Sequence, residues 1–208
     1  MTKEIVERMR RHFDAQTELR ERVLDLSRKV IRASARAITA MHRGDSKTVK
    51  EMLTEAQAGL AELKNVTKSD PLWMESGAVY SAQQEYGEAM IVQELIARDR
   101  LLTPEKLKIP FQPYLNALAD VAGELRRRAL DLIRADDVAG AERMLKTMED
   151  VHELLMSFDY PDAILPGMKR RQDMVRGVLE KTRGDLTTAL RQQKLERALE
   201  RAKKRSKR

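Results

Sequence analysis

The chain contains no cysteine, which excludes disulfides, thiolate metal sites and a cysteine nucleophile. Aromatic residues are scarce, with one Trp, four Tyr and three Phe in 208 residues, so stacking of bases is not expected to dominate any nucleic-acid contact. No run of about 18 apolar residues occurs that could span a bilayer. The N-terminal residues have no apolar signal-peptide segment either, and a soluble cytoplasmic protein is the expectation. Glycine is too scattered for a phosphate-binding loop: Gly59, Gly77, Gly87 and Gly123 stand singly within helical stretches. His12, His42 and His152 form no HExxH-like spacing, which argues against a zinc site of the usual kind. No serine sits on a recognisable nucleophile elbow.

What remains is charge on helices. Charged residues make up 35% of the chain and Ala, Leu, Glu, Lys and Arg dominate it, a composition that favours helix. The net charge of +7 suits a polyanionic partner. Apolar residues at helical spacing predict a long first helix from Lys3 to about Met41, with Ile5, Met9, Phe13, Val23 and Val30 on its inward stripe. Gly44 stops it, and Asp45 or Ser46 caps the next helix, to about Lys64. Asp70 and Pro71 open a third helix running to Arg98. A connection rich in proline, with room for one short helical turn, covers 100–112. Further helices are predicted over 113–135, from Asp136 or Asp137 to Ser157, and from Met168 to about Lys203. No strand-like alternation or solenoid repeat appears. The reading is an all-α, single-domain bundle of six or seven mostly antiparallel helices over 1–200. The segment 201–208, with six positive charges, is expected to be a disordered basic tail.

Two acidic pairs lie where neighbouring residues are small or apolar. Glu85 and Glu88 are spaced i, i+3, and Asp120 and Glu124 i, i+4, so each pair shares one helix face. Ala82, Ala89, Ala119, Ala122 and Gly123 flank them and would let two helices approach closely. Hard cations such as Mg²⁺ or Mn²⁺ take oxygen ligands, and helix faces can supply them in pairs. Four carboxylates gathered without a cation would repel one another. Spacing leaves two readings open: one metal site, or two separate solvated pairs partnered by arginines. The basic residues Arg126, Arg127, Arg128, Lys169, Arg170, Arg171, Arg176, Lys181 and Arg183 could likewise follow a phosphate backbone or form ordinary solvated helix faces.

Three ordered segments carry a resemblance. Glu18-Leu-Arg-Glu-Arg-Val-Leu-Asp-Leu-Ser-Arg28 looks like the first-helix signature of the translin family. Gln84-Glu-Tyr-Gly-Glu-Ala89 resembles the QEYxEA motif of its translin-associated factor X (TRAX) branch, and Tyr114-Leu-Asn-Ala-Leu-Ala-Asp-Val-Ala-Gly-Glu-Leu-Arg126 is similar to that branch's YLxxxADxxGEL segment. The resemblance covers roughly residues 15 to 190. It implies an all-α subunit of a hollow, octameric shell, and in this branch a Mg²⁺-dependent endoribonuclease acting on single-stranded RNA, with Mn²⁺ as a substitute ion. The family's catalytic acids fall on Glu85, Glu88 and Asp120, with Glu124 the adjacent matching acid. The short connection between the last two motifs resembles a compact, archaeal-type member able to form a homo-oligomer. The other reading is a non-catalytic shell that binds single-stranded RNA or DNA.

Overall fold

The computed structural model describes residues 2–206. Helices are α1 (Thr2–Arg43), α2 (Ser46–Thr67), α3 (Pro71–Met74), α4 (Gly77–Arg98), α5 (Pro104–Leu107), α6 (Phe111–Arg134), α7 (Val138–Met156) and α8 (Met168–Ser206). There is no strand among the described residues, and the all-α class holds. Two of the helices, α3 and α5, are single turns. The third expected helix is broken because Ser76 caps α4 afresh, its side chain accepting from the Val79 amide. No described helix is long and apolar enough to cross a membrane.

The helix ends follow local chemistry. Gly44 takes φ +72, a left-handed conformation that glycine adopts without a Cβ penalty, and this turns the chain out of α1. Asp45 then caps α2, its Oδ1 accepting from the Thr48 amide at 3.1 Å. Asp137 caps α7 through the Gly140 amide at 2.8 Å. Asp70 caps the Pro71 turn and also accepts from Gln16 Nε2 at 2.9 Å. The same Gln16 amide receives the Trp73 indole N–H at 2.9 Å.

Packing divides the chain into two compact units, one up to Ala117 and the other from Leu118. In the first, α1, α2 and α4 bury Val23, Val30, Ala37, Leu60, Leu63 and Ile91. The expected inward stripe of α1 holds only from Val23. Ile5, Met9 and Phe13 are exposed, because α1 has 42 residues and its partner α2 only 22, so the first turns of α1 overhang. In the second unit, α7 and α8 bury Met148, Leu155, Met168 and Val175. Gln172 of α8 ties the end of α7 by donating to the carbonyls of Leu155 (2.8 Å) and Phe158 (2.9 Å). The stretch expected as a tail is helical as far as Ser206, with nothing to break it and basic residues at the favourable end of the helix dipole. Lys207 and Arg208 lie outside the described residues.

Close approach decides which glycines matter. A Cβ on Gly87 would meet Ile109 Cδ1 at 2.9 Å and Ala117 Cβ at 3.1 Å, whereas one on Gly177 would meet nothing within 4 Å. Gly87→Val should therefore cost about 1–3 kcal/mol by overpacking. Gly177→Ala should add up to about 1 kcal/mol through helix propensity. Denaturant unfolding of the two variants beside the wild type checks both signs. A second expectation concerns Tyr114, whose hydroxyl donates to the Leu102 carbonyl at 2.8 Å. Burial, helped by Glu105, pushes its pKa up to about 12. A raised folded pKa means the folded state holds its proton after the unfolded chain has lost it, so stability falls from about pH 10 to about pH 12. Tyr114→Phe should flatten that part of the pH profile, measured by unfolding across the window.

Candidate functional site

Helix α4 places Glu85 and Glu88 one turn apart. Glu88 is only 9% exposed, and Glu85 is half-buried. A carboxylate as buried as Glu88 is costly unless donors or cations compensate it. Both acids flank Gly87, the residue at which α4 lies against Ala117 of α6. Near this contact Asn116 bridges the two helices, donating from Nδ2 to Tyr80 Oη at 2.8 Å and to Gln84 Oε1 at 3.3 Å. Its own Oδ1 is buried and has no hydrogen-bond donor.

Along α6, Asn116, Asp120 and Glu124 recur at i, i+4 and i+8, so they share a face. Asp120 accepts from Arg171 Nη1 of α8 at 3.1 Å, an ion pair with both side chains about one-quarter exposed. Glu124 stands 3.9 Å from Arg127. These carboxylates and the Asn116 carbonyl are all hard oxygen donors, the kind Mg²⁺ and Mn²⁺ take, so the donor chemistry fits such an ion. Among the described residues, however, no three His, Asp or Glu side chains form a group that could hold a metal. Binding an ion would require carboxylates to draw together and Asp120 to exchange its guanidinium for the metal.

The basic set divides by what each side chain already holds. Arg126 reaches across to α8, donating to Thr182 Oγ1 at 3.1 Å and pairing with Asp185 at 2.8 Å. Arg176 pairs with Asp173 at 2.9 Å. Arg183 pairs with Glu180 at 2.6 Å and Glu149 at 2.9 Å. Lys169, Asp173, Arg176, Glu180 and Arg183 thus form one helix row of alternating charge, paired along much of its length. Lys169, Arg170 and Lys181 are exposed, and Arg128 is half-buried. Sequence spacing could show that these residues share faces, but not that Arg126 and Arg171 serve as ties within the second unit.

A family model described as the translin family matches residues 18–183. The chain belongs to the translin family. An uncharacterized protein of Methanocaldococcus jannaschii is 36% identical over 185 residues, covering 88% of this chain and 82% of that protein. Among solved structures, AfC3PO in complex with duplex RNA has a TM-score of 0.81 at 29% identity, covering 88% of this chain and 95% of that one. AfC3PO alone gives a TM-score of 0.81 at 30% identity, with 88% and 96% covered. Apo-NeC3PO, at 19% identity and a TM-score of 0.80 over 88% and 96%, shares the fold.

The ties of Arg126 carry a direct consequence. Arg126→Ala should lower stability by about 1–2 kcal/mol, since it removes a half-buried hydrogen bond and ion pair together. Lys169→Ala and Arg170→Ala should leave stability within about 0.5 kcal/mol, as exposed substitutions do. Thermal unfolding of the three variants separates the structural arginine from the free basic surface.

Proposed function

We propose that this chain is a divalent-metal-dependent endoribonuclease subunit of the TRAX-like branch, acting on single-stranded RNA in a homo-oligomeric, octameric shell. The observation that carries the reading is the acidic set itself: Glu85 and buried Glu88 on α4, Asp120 and Glu124 on one face of α6. It is joined by a buried Asn116 carbonyl in the same α6 row that lacks a donor. Structural ion pairing alone gives no reason for an acceptor to be left unmet one turn from Asp120. Similarity to AfC3PO, which is solved with duplex RNA, supports RNA as the partner.

Glu85, Glu88 and Asp120 would hold the ion, with Glu124 as fourth ligand or orienting a water. When bound, Mg²⁺ or Mn²⁺ supplies a polarised phosphate, an activated water and stabilisation of the leaving oxygen. Exposed Lys169, Arg170 and Lys181 offer uncommitted charge to the RNA backbone, while Arg127, Arg128, Arg171, Arg176 and Arg183 would contact it only by giving up some of their present surroundings. Arg171 is a special case, because displacement from Asp120 by a metal would free its guanidinium for phosphate.

A non-catalytic shell binding single-stranded RNA or DNA is the second reading, favoured by the Arg171–Asp120 pair at 3.1 Å, which neutralises one of the acids without a metal. Cleavage separates the two. Incubation of a labelled single-stranded RNA, and of its duplex, with wild type and Mg²⁺ should yield product from the single strand. EDTA, or Asp120→Asn, should cut the rate at least about a hundredfold. Equal product in all reactions, or none with wild type, would overturn the nuclease reading. Binding measured beside it should weaken with salt, and the slope should fall by roughly 0.7 for each phosphate contact removed, as with Lys169→Ala.

A further inference from the structure

The first unit contains a cleft that the acidic residues do not use. It has a volume of about 830 Å³, within the roughly 300–1,000 Å³ typical of small-molecule sites. Val79, Ile109, Pro110 and Pro113 give it flat apolar walls, with the Tyr80 ring beside them. Three ammonium groups, Lys64, Lys68 and Lys108, line it against a single acid, Glu75. The amides of Gln83 and Gln112 are also in the wall, and Gln83 is buried.

Two features fix the backbone of Lys108 and the side chain of Lys64. Lys108 has φ 55, a left-handed conformation in which a lysine is disfavoured and glycine or Asp/Asn is the usual choice. Among the described residues the other two positive-φ non-glycine positions, Asp99 and Asp136, are of the tolerant kind. Lys108 stays there because its N–H caps α5 on the Glu105 carbonyl at 3.2 Å and its own carbonyl accepts a hydrogen bond from Lys64 Nζ. Lys64 in turn is brought beside Lys108, and burial together with that like charge holds its pKa below the ordinary lysine range. Crowding two ammonium groups over an apolar cleft is unfavourable by itself, and an anion between them relieves it. Lys64 keeps ammonium protons to donate beyond the one given to the carbonyl.

The chemistry required of an occupant is narrow. It needs a compact, strongly negative end for the lysines and a flat, weakly polar body for the proline, isoleucine and tyrosine walls. It also needs an edge that can hydrogen-bond with an amide such as Gln83, as adenine does with glutamine. We infer that this cleft binds a nucleoside 5′-monophosphate, either free or as the phosphorylated end of an RNA strand. The phosphate lies among Lys64, Lys68 and Lys108, and the base lies against Ile109, Pro110 and Pro113. None of the four carboxylates lines the cleft, and the inference does not depend on the nuclease reading.

Calorimetric titration of the full chain with adenosine 5′-monophosphate tests this. Saturable binding with one ligand per chain is expected, and adenosine without phosphate should bind at least about tenfold more weakly, the loss of one charge-assisted contact. Lys108→Gly removes an ammonium and relieves the left-handed backbone, so it should keep or raise thermal stability while weakening the nucleotide about tenfold. Lys68→Gln, at an exposed position, should weaken it in the same direction. A 5′-phosphorylated oligoribonucleotide that displaces the mononucleotide, where its 5′-hydroxyl form does not, assigns the cleft to a strand end. Binding without such displacement assigns it to the free nucleotide. No saturable binding, or equal affinity in wild type, Lys108→Gly and Lys68→Gln, would overturn the inference.

Discussion

At Gly87 the backbone of α4 comes so close to α6 that a single methyl group would already meet Ile109 and Ala117. Much else in this part of the protein depends on that approach. It is what lets Asn116 reach Tyr80 and Gln84 at hydrogen-bonding distance. Interiors pack at crystal-like density, so the missing side chain at Gly87 fixes the spacing of the two helices as firmly as a large residue elsewhere would. A glycine in a helix costs about 1 kcal/mol relative to alanine. Here the cost is offset by contact, whereas at Gly123, Gly177 and Gly184 nothing within the chain meets the open position.

Buried polar groups are handled in different ways, and the contrast bears on function. Glu94, with a side chain 7% exposed, is enclosed by Arg98 and by Arg100 at 2.6 Å. The two guanidiniums also secure the end of α4, where Asp99 turns left-handed and the Arg100 amide returns to the Glu94 carbonyl. That arrangement is a finished structural network, with donors matched to both oxygens. The α6 row differs at one atom. Asp120 has one guanidinium at 3.1 Å, and Asn116 keeps a buried carbonyl oxygen with no donor.

Helix content, caps and the two acidic faces were legible in the sequence because they depend on local spacing. Asp45, Asp70 and Asp137 cap where a short polar side chain precedes an apolar period. The break before α4 was not legible, since Ser76 competes with a plausible continuous helix from Pro71. Nor was the overhang of α1. Ile5, Met9 and Phe13 have the same period as Val23 and Val30, and periodicity records which face is apolar, not whether another helix is long enough to cover it. That the four acids act as one set was beyond spacing for a similar reason, and that expectation rested on the order of the motifs.

The basic residues show where reading by composition fails most. A run such as Arg126-Arg-Arg128 invites a single role, yet its members face different directions on α6. Arg126 turns inward to Thr182 and Asp185, while Arg127 is exposed and stands within reach of Glu124. On α8 the charges that look like a phosphate track are interleaved with Asp173 and Glu180 at the spacing that pairs them. Such pairs are worth little in water, so they do not forbid phosphate binding. They do reduce the field that would attract it, because each phosphate must compete with a carboxylate already in place. The net charge of +7 therefore overstates the basic surface on any one face. The useful quantity is the subset of cations not already held in an ion pair, and on α8 between Lys169 and Arg183 the pairs of Arg171, Arg176 and Arg183 reduce it to Lys169, Arg170 and Lys181.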